Sequence, residues 1–245
     1  STAKIMWHCF FQRRFLHCSF SLMKNLKGKT HAEQRWMLRQ RKDPYVKASH
    51  SQNLRCRSAF KLLEMDDRFH LLRPGYSVVD CGAAPGAWSQ VAVRRVNSAG
   101  AEPESPIGTV IGIDLLNIPP LDGAHFLSSH DVTDPTTHAK ILELLPSGQA
   151  HVILSDMAPN ASGFKDMDHE RLVTMCFCLL DLAEKTLRPG GSLVCKYWEG
   201  ALAQKLQDKL SSVFGSVRTL KPSASRKDSA EKYFFARMYK KPIKQ

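Results

Sequence analysis

The chain has 245 residues, 43% apolar and 24% charged, with a formal net charge of +12. That length accommodates one large domain with appendages, and no apolar run approaches the ~20 residues that would span a bilayer, so no membrane span is expected. Seven cysteines, an odd number with no C-x-x-C pair, argue against a disulfide or zinc framework and for reduced, buried thiols in an intracellular compartment, with Cys176 and Cys178 on different helix faces.

The charge is unevenly placed. Residues 1–60 carry +11, residues 61–217 carry −6 and residues 218–245 carry +7. An acidic middle between basic flanks suggests a polyanion gripped at the edges of a catalytic domain. The alternative is that basic termini only solubilise or target the chain.

Residues 1–30 hold Lys4, Arg13, Arg14, Lys24, Lys27 and Lys29 and no acid; the first is Glu33. Such a leader resembles a mitochondrial presequence, or else is a disordered basic arm. Residues 31–57 stay basic, with Trp36 and Tyr45 interleaved. Cations for phosphates and flat rings for bases suit an RNA-binding arm. The compact domain is expected over 58–241, opening with a helix from Ser58 in which Phe60 and Leu63, joined by Leu62, form the apolar face and Lys61 lies off it. Pro74-Gly75 ends that segment.

Strand and helix then alternate. Strands are expected at 77–82, 108–116, 125–132, 151–158, 191–198, 216–221 and 233–240. Helices are expected at 87–97, 136–145, 168–187 and 200–214. Strands separated by helices imply an α/β, Rossmann-like sheet of seven mostly parallel strands with helices on both faces. The last two strands are joined without a helix, so one of them should be antiparallel.

The stretch Val78-Val79-Asp80-Cys81-Gly82-Ala83-Ala84-Pro85-Gly86-Ala87-Trp88 reads as strand, tight loop and helix N-terminus, a usual place for a nucleotide-like ligand. The loop lacks G-x-G-x-x-G, because Ala84 stands where a glycine is needed, and it lacks G-K-[ST]. A nicotinamide dehydrogenase is therefore disfavoured. A loop built for close approach but without a phosphate cradle suits S-adenosylmethionine; the alternative is a turn with no ligand.

Ligands of such sheets lie beyond the carboxyl ends of the strands. Those ends read Asp80/Gly82, Asp114, Asp131, Asp156 and Lys196. Asp114, at the end of the second strand, can accept both ribose hydroxyls, and Asp131, ending the third, can accept from an adenine amino group; each can equally be a turn or helix cap. Asp156-Met157-Ala158-Pro159-Asn160 departs from the [DNS]-P-P-[YF] pattern of amino-group methyltransferases, which favours an oxygen acceptor. Lys196 at a strand tip is a candidate general base. If it lies near Lys61, repulsion and desolvation should lower its pKa, with Asp156 or Glu231 opposing part of that shift. The alternative is a solvated lysine. The ten histidines show no metal-ligand spacing, and no metal is expected.

Taken together, Ser58 to Glu64, Asp80 to Gln90, Ser155 to Gly163, Pro189 to Lys196 and Pro222 to Tyr233 resemble the FtsJ-type ribose 2′-O-methyltransferases of large-subunit rRNA, over roughly residues 44–240. The resemblance implies a K-D-K-E catalytic tetrad of Lys61, Asp156, Lys196 and Glu231, with Lys196 as proton acceptor. It implies S-adenosylmethionine contacts at Gly82, Ala83, Pro85, Gly86, Ala87, Trp88, Asp114 and Asp131, with Asp156 bordering both ligands. It also implies large-subunit rRNA or its pre-ribosomal particle as partner, no DNA, a monomer and, for a member with this leader, the mitochondrial matrix rather than the cytoplasm. The loop 98–107 is longer than the bacterial pattern suggests. The competing reading is an RNA-binding ribosome-assembly factor on a methyltransferase fold, with catalysis secondary.

Overall fold

The computed structural model describes residues 30–159, 162–226 and 229–240. The presequence expected over 1–30 lies almost wholly outside the described residues. The segment 31–57 forms two helices, α1 (His31–Lys42) and α2 (Pro44–Ser51). Thr30 and Glu33 form a capping box at the start of α1, and Asp43 caps α2 by accepting from the Tyr45 N–H, with Pro44 at the first helical position. Leu54, just beyond α2, is buried in the core formed with α3 and α4, so this segment is seated on the domain.

The remaining helices are α3 (Ala59–Phe69), α4 (Ala87–Val96), α5 (Pro135–Leu144), α6 (Lys165–Thr186) and α7 (Ala203–Val213). The strands are β1 (Ser77–Cys81), β2 (Thr109–Asp114), β3 (Ala124–Ser128), β4 (Ala150–Ser155), β5 (Leu187–Trp198), β6 (Phe214–Leu220) and β7 (Glu231–Tyr239). They form one seven-stranded sheet in the order β3-β2-β1-β4-β5-β7-β6. β1 to β5 pair in parallel, and β7 runs antiparallel to both β5 and β6. This is the expected α/β sheet, and β7 is the antiparallel member.

The central strands read as continuous apolar runs because both faces are covered. Val79, Ile111 and Ile153 pack against α5 and α6, while Val78, Val110 and Val152 face α3 and α4. The chain winds outward from β1 in one direction through β2 and β3, and in the other through β4 and β5. The crevice at that switch point opens beyond the carboxyl ends of β1 and β4.

Three local expectations change. β3 stops at Ser128, so Asp131 does not end a strand; it lies in the following turn. β5 takes in Leu187, which pairs with Ala150; the Pro189-Gly190-Gly191 segment bulges out before pairing resumes at Ser192. The buried face of α3 is Ala59, Leu62, Met65 and Asp66, and Lys61 is buried with it, whereas Phe60 and Leu63 are half-buried. All five described cysteines are free; Cys81, Cys176 and Cys195 are buried, and Cys56 and Cys178 are half-buried.

Candidate active site

Register brings the charged residues together. Lys196 on β5 is the cross-strand partner of Tyr233 on β7. Glu231, two residues before Tyr233, shares its face of the sheet because side chains alternate with period two. Ser155 is the parallel partner of Cys195, so Asp156, one residue past β4, stands beside Lys196. α3 lies over the same face and lowers Lys61 onto the group.

All four expected tetrad members therefore meet. Lys196 Nζ is 2.7 Å from Asp156 Oδ1 and 3.2 Å from Glu231 Oε2, and it donates to the Asp156 carbonyl at 2.8 Å. Lys61 Nζ is 2.7 Å from Glu231 Oε1 and 3.6 Å from Asp156 Oδ1, and it donates to the Tyr233 hydroxyl at 3.1 Å. The tetrad holds two positive and two negative charges and is largely shielded; the lysine side chains are 9% exposed and the carboxylates 12% and 18%. Burying four charges is costly unless each is paired, and here each is.

Electrostatics follow from that pairing. Burial pushes the Asp156 carboxyl up, but the ammonium groups of Lys196 and Lys61 outweigh it and hold the group at about 2. Glu231 is likewise held below its ordinary range, burial being outweighed by Lys196 and Lys61. Lys196 reverses the sequence expectation. Burial alone depresses it, yet the adjacent Asp156 and Glu231 carboxylates raise it above its usual 10.5. Repulsion from Lys61 loses because Lys196 has two carboxylates in direct contact.

Three further residues complete the group. The Tyr233 hydroxyl donates to Asp156 Oδ1 at 2.5 Å, and the Ser58 hydroxyl donates to Asp156 Oδ2. Burial and the neighbouring Asp156 and Glu231 charges keep the Tyr233 phenol well above its usual value. Ser225 donates to Glu231 Oε1 at 2.8 Å. Sequence reasoning gave these residues no role. The signal available was the spacing Glu231-x-Tyr233, which puts both side chains on one face of a strand.

The second half of the site lies at the ends of β1 and β2. Gly82 and Gly86 have φ of +75° and +100°, a region that favours glycine. A Cβ on Gly82 would run into the Met157 side chain, and one on Gly86 into the Arg55 guanidinium. Gly82 and Ala83 N–H groups both donate to the Ile113 carbonyl, which sets the loop over β2. The Asp114 carboxylate accepts from Ala84 N–H through Oδ2 and from Leu116 N–H through Oδ1, both at 2.9 Å. Each oxygen keeps a second lone pair, so the diol of a nucleoside could be held there. Leu115 and Leu116, next in the chain, are 63% and 53% exposed and offer apolar surface.

The other expected cofactor positions divide. Pro85 is half-buried on the loop, whereas Ala83, Ala87 and Trp88 are 3–4% exposed and pack in the core beneath it. Trp88 donates its indole N–H to the Ser58 carbonyl at 3.0 Å, so it joins the loop to the segment that reaches Asp156. Asp131 is exposed, and its Oδ1 accepts from the Thr133 N–H and hydroxyl, the turn-cap alternative. Asp80, buried, accepts from the Ser89 hydroxyl at 2.7 Å; burial first, then the Asp156 and Asp114 charges, raise it to about 7.

Comparison with known proteins bears on this arrangement. The FtsJ-like methyltransferase profile matches residues 54–239. The mitochondrial rRNA methyltransferase 2 of Drosophila melanogaster is 42% identical over 89% of this chain and 87% of its own. The ribosomal RNA large subunit methyltransferase E of Ruegeria pomeroyi is 42% identical over 87% of this chain and 91% of its own. A crystal structure of a Plasmodium falciparum protein assigned as a ribosomal RNA methyltransferase superposes with a TM-score of 0.67 at 25% identity, over 77% of this chain and all of that one.

Proposed function

The chain belongs to the FtsJ-like methyltransferase family, and on that premise we propose that it transfers a methyl group from S-adenosylmethionine to a ribose 2′-hydroxyl, that of a uridine, in large-subunit ribosomal RNA. The Drosophila relative is named for rRNA methylation and the Ruegeria relative for methylation of large-subunit rRNA. The observation on this chain that carries the reading is the buried, charge-balanced Lys61–Asp156–Lys196–Glu231 group, set beside a glycine loop that has no phosphate cradle. Binding RNA alone calls for exposed cations rather than a shielded group of balanced charge.

The residues present fit the methyl donor. Asp114 would take the ribose diol, the loop from Gly82 to Gly86 would admit close approach, and Asp131 would lie at the adenine end. S-adenosylmethionine, when bound, supplies a methyl carbon on a cationic sulfur that leaves readily. The protein's part is then orientation and proton handling. Lys196, once neutral, takes the hydroxyl proton as the oxygen–carbon bond forms. The neutral amine keeps its two N–H groups on acceptors drawn from Asp156 Oδ1, Glu231 Oε2 and the Asp156 carbonyl, with its lone pair turned to the hydroxyl, and the ammonium so produced stays beside both carboxylates. Acceptors fixed in advance of a developing charge stabilise the transition state more than the ground state. Lys61 neutralises the far oxygen of Glu231, and Tyr233 and Ser58 fix Asp156.

The mitochondrial matrix is the location we infer, supported by the mitochondrial Drosophila relative and by the acid-free, basic composition of residues 1–30. The reaction is tested by incubating the protein with methyl-labelled S-adenosylmethionine and large-subunit rRNA or pre-ribosomal particles, then hydrolysing the RNA in alkali. Label in an alkali-resistant dinucleotide is expected, because a 2′-O-methyl blocks cleavage. Label on mononucleotides would put the methyl on a base and overturn the ribose assignment.

A further inference from the structure

Arg55 and Arg57 stand one residue apart between α2 and α3, and they reach opposite halves of the site. Arg55 Nη1 donates to the carbonyls of Pro85 at 2.9 Å and Pro119 at 2.7 Å, and Nη2 to that of Pro120 at 2.5 Å. Its guanidinium also lies 5.8 Å from the centroid of the Phe126 ring and against the bare face of Gly86. It thus ties the loop after β1 to the loop after β2, the two that flank Asp114. Its backbone is fixed in turn, since Arg55 N–H donates to Gln90 Oε1 and Gln90 donates to the Asn53 carbonyl.

Arg57 points the other way. Its Nη2 donates to the Ala224 carbonyl at 2.6 Å, and its Nε stands 3.0 Å from Asp43 Oδ2. Asp43 also lies 3.6 Å from Arg226 Nη2. Ala224 and Arg226 flank Ser225, which donates to Glu231, so this clasp holds the segment that aims the Glu231 carboxylate. The next residue along, Ser58, donates to Asp156 and accepts from Trp88.

We propose that the segment Arg55–Ser58 is the bridge that sets the two halves of the site against each other, with Arg55 the positioning residue of the methyl-donor half and Arg57 that of the acceptor half. The proposal rests on the methyltransferase reading above. Each arginine acts through other groups and touches no reacting atom. The two should therefore separate kinetically, which a general loss of fold would not do.

The test is S-adenosylhomocysteine binding by calorimetry, steady-state methyl transfer to large-subunit rRNA, and melting temperature, for wild type, Arg55→Met and Arg57→Met. Arg55→Met is expected to weaken S-adenosylhomocysteine and raise the KM for S-adenosylmethionine about tenfold, the scale of one charge-assisted hydrogen bond. Its kcat at saturating donor should stay within about twofold. Arg57→Met should keep donor affinity within about twofold and lower kcat about tenfold or more. Equal effects of both variants on affinity and kcat, or the reverse pattern, would overturn the assignment. Should Arg55→Met fail to fold, Arg55→Lys decides: it keeps the charge and fewer bonds, so weaker binding with retained kcat supports the bridge, and wild-type affinity or lost kcat overturns it. Wild type that binds no S-adenosylhomocysteine would remove the methyl-donor reading itself, an outcome distinct from any variant effect.

Discussion

At the β4–β5–β7 end of the crevice, four charged side chains meet, each within hydrogen-bonding distance of an opposite charge. At the β1–β2 end, the work falls to backbone: two glycines at positive φ, three carbonyls on Arg55, and two amides on Asp114. The first half depends on which residue types are present, since any change of charge unbalances a shielded group. The second depends on conformation, and its side chains are braces more than reagents. Substitutions should therefore damage the first half through chemistry and stability, and the second through affinity.

The largest expected effect follows from Lys196→Met. Single-turnover methyl transfer should fall by about 10³-fold, within the range general-base catalysis supplies. S-adenosylhomocysteine affinity should stay within about threefold. A variant that kept a tenth of wild-type transfer would take the base role from Lys196.

Asp156→Ala comes next, because it leaves two ammonium groups facing one carboxylate. Removing one partner of a buried ion pair typically costs about 3–5 kcal/mol. Denaturant melts should show a loss of that order together with loss of transfer, and a stability equal to wild type would mean the group is more open to water than its geometry implies.

On the other half, Asp114→Ala should weaken S-adenosylhomocysteine about ten- to a hundredfold, since it removes acceptors from two backbone amides and from the ligand. Asp131→Ala should cost under about threefold, because that carboxylate is exposed and spent on Thr133. Calorimetric affinities in the opposite order would make Asp131 the main anchor.

The last effect concerns Asp80 and is read against pH. Its folded pKa, about 7, lies above the ordinary carboxylate value of 3.8. A raised acid contributes stability that is fully present below pH 3.8 and is lost as pH rises to about 7. Asp156, held at about 2, has the opposite sign: its contribution is present above 3.8 and fades as pH falls toward 2. Asp80→Asn should flatten the decline in melting temperature between pH 4 and pH 7 without altering that below pH 4. An unchanged decline would show that Asp80 titrates normally.

Much of this was legible in the chain, and the reasons are physical. The β-branched runs, the strand–helix alternation and the glycine loop report local geometry, so a mostly parallel sheet with one of its last two strands antiparallel could be read directly; which of the two it is, and the strand order, could not. Lys196 and Asp156 stood out because their types are unusual where they stand, a lysine at a strand tip and an aspartate past a central strand; Lys61 and Glu231 joined them only through the family resemblance. What was hidden depends on distance. The sign of the Lys196 shift turned on two carboxylates outcompeting Lys61, which needs contacts and not spacing. Asp131 falls short of a strand end because the ladder closes at Ser128 and Ser129 turns the chain out at a φ of +59°, which spacing alone does not reveal. Arg55 and Arg57 looked like part of a basic RNA arm, and only the fold reveals that their guanidinium groups are turned inward onto carbonyls.

The most direct test is the rate of a single turnover on large-subunit rRNA at saturating donor, measured from pH 6.5 to 9.5. Lys196 acts as a neutral amine but is held above 10.5, so its reactive fraction grows about tenfold per pH unit across that range. The logarithm of the rate should climb with a slope near one and no plateau, and the slope should vanish in Lys196→Met. A wild-type rate that is flat with pH, or already level below pH 8, would contradict proton transfer to Lys196.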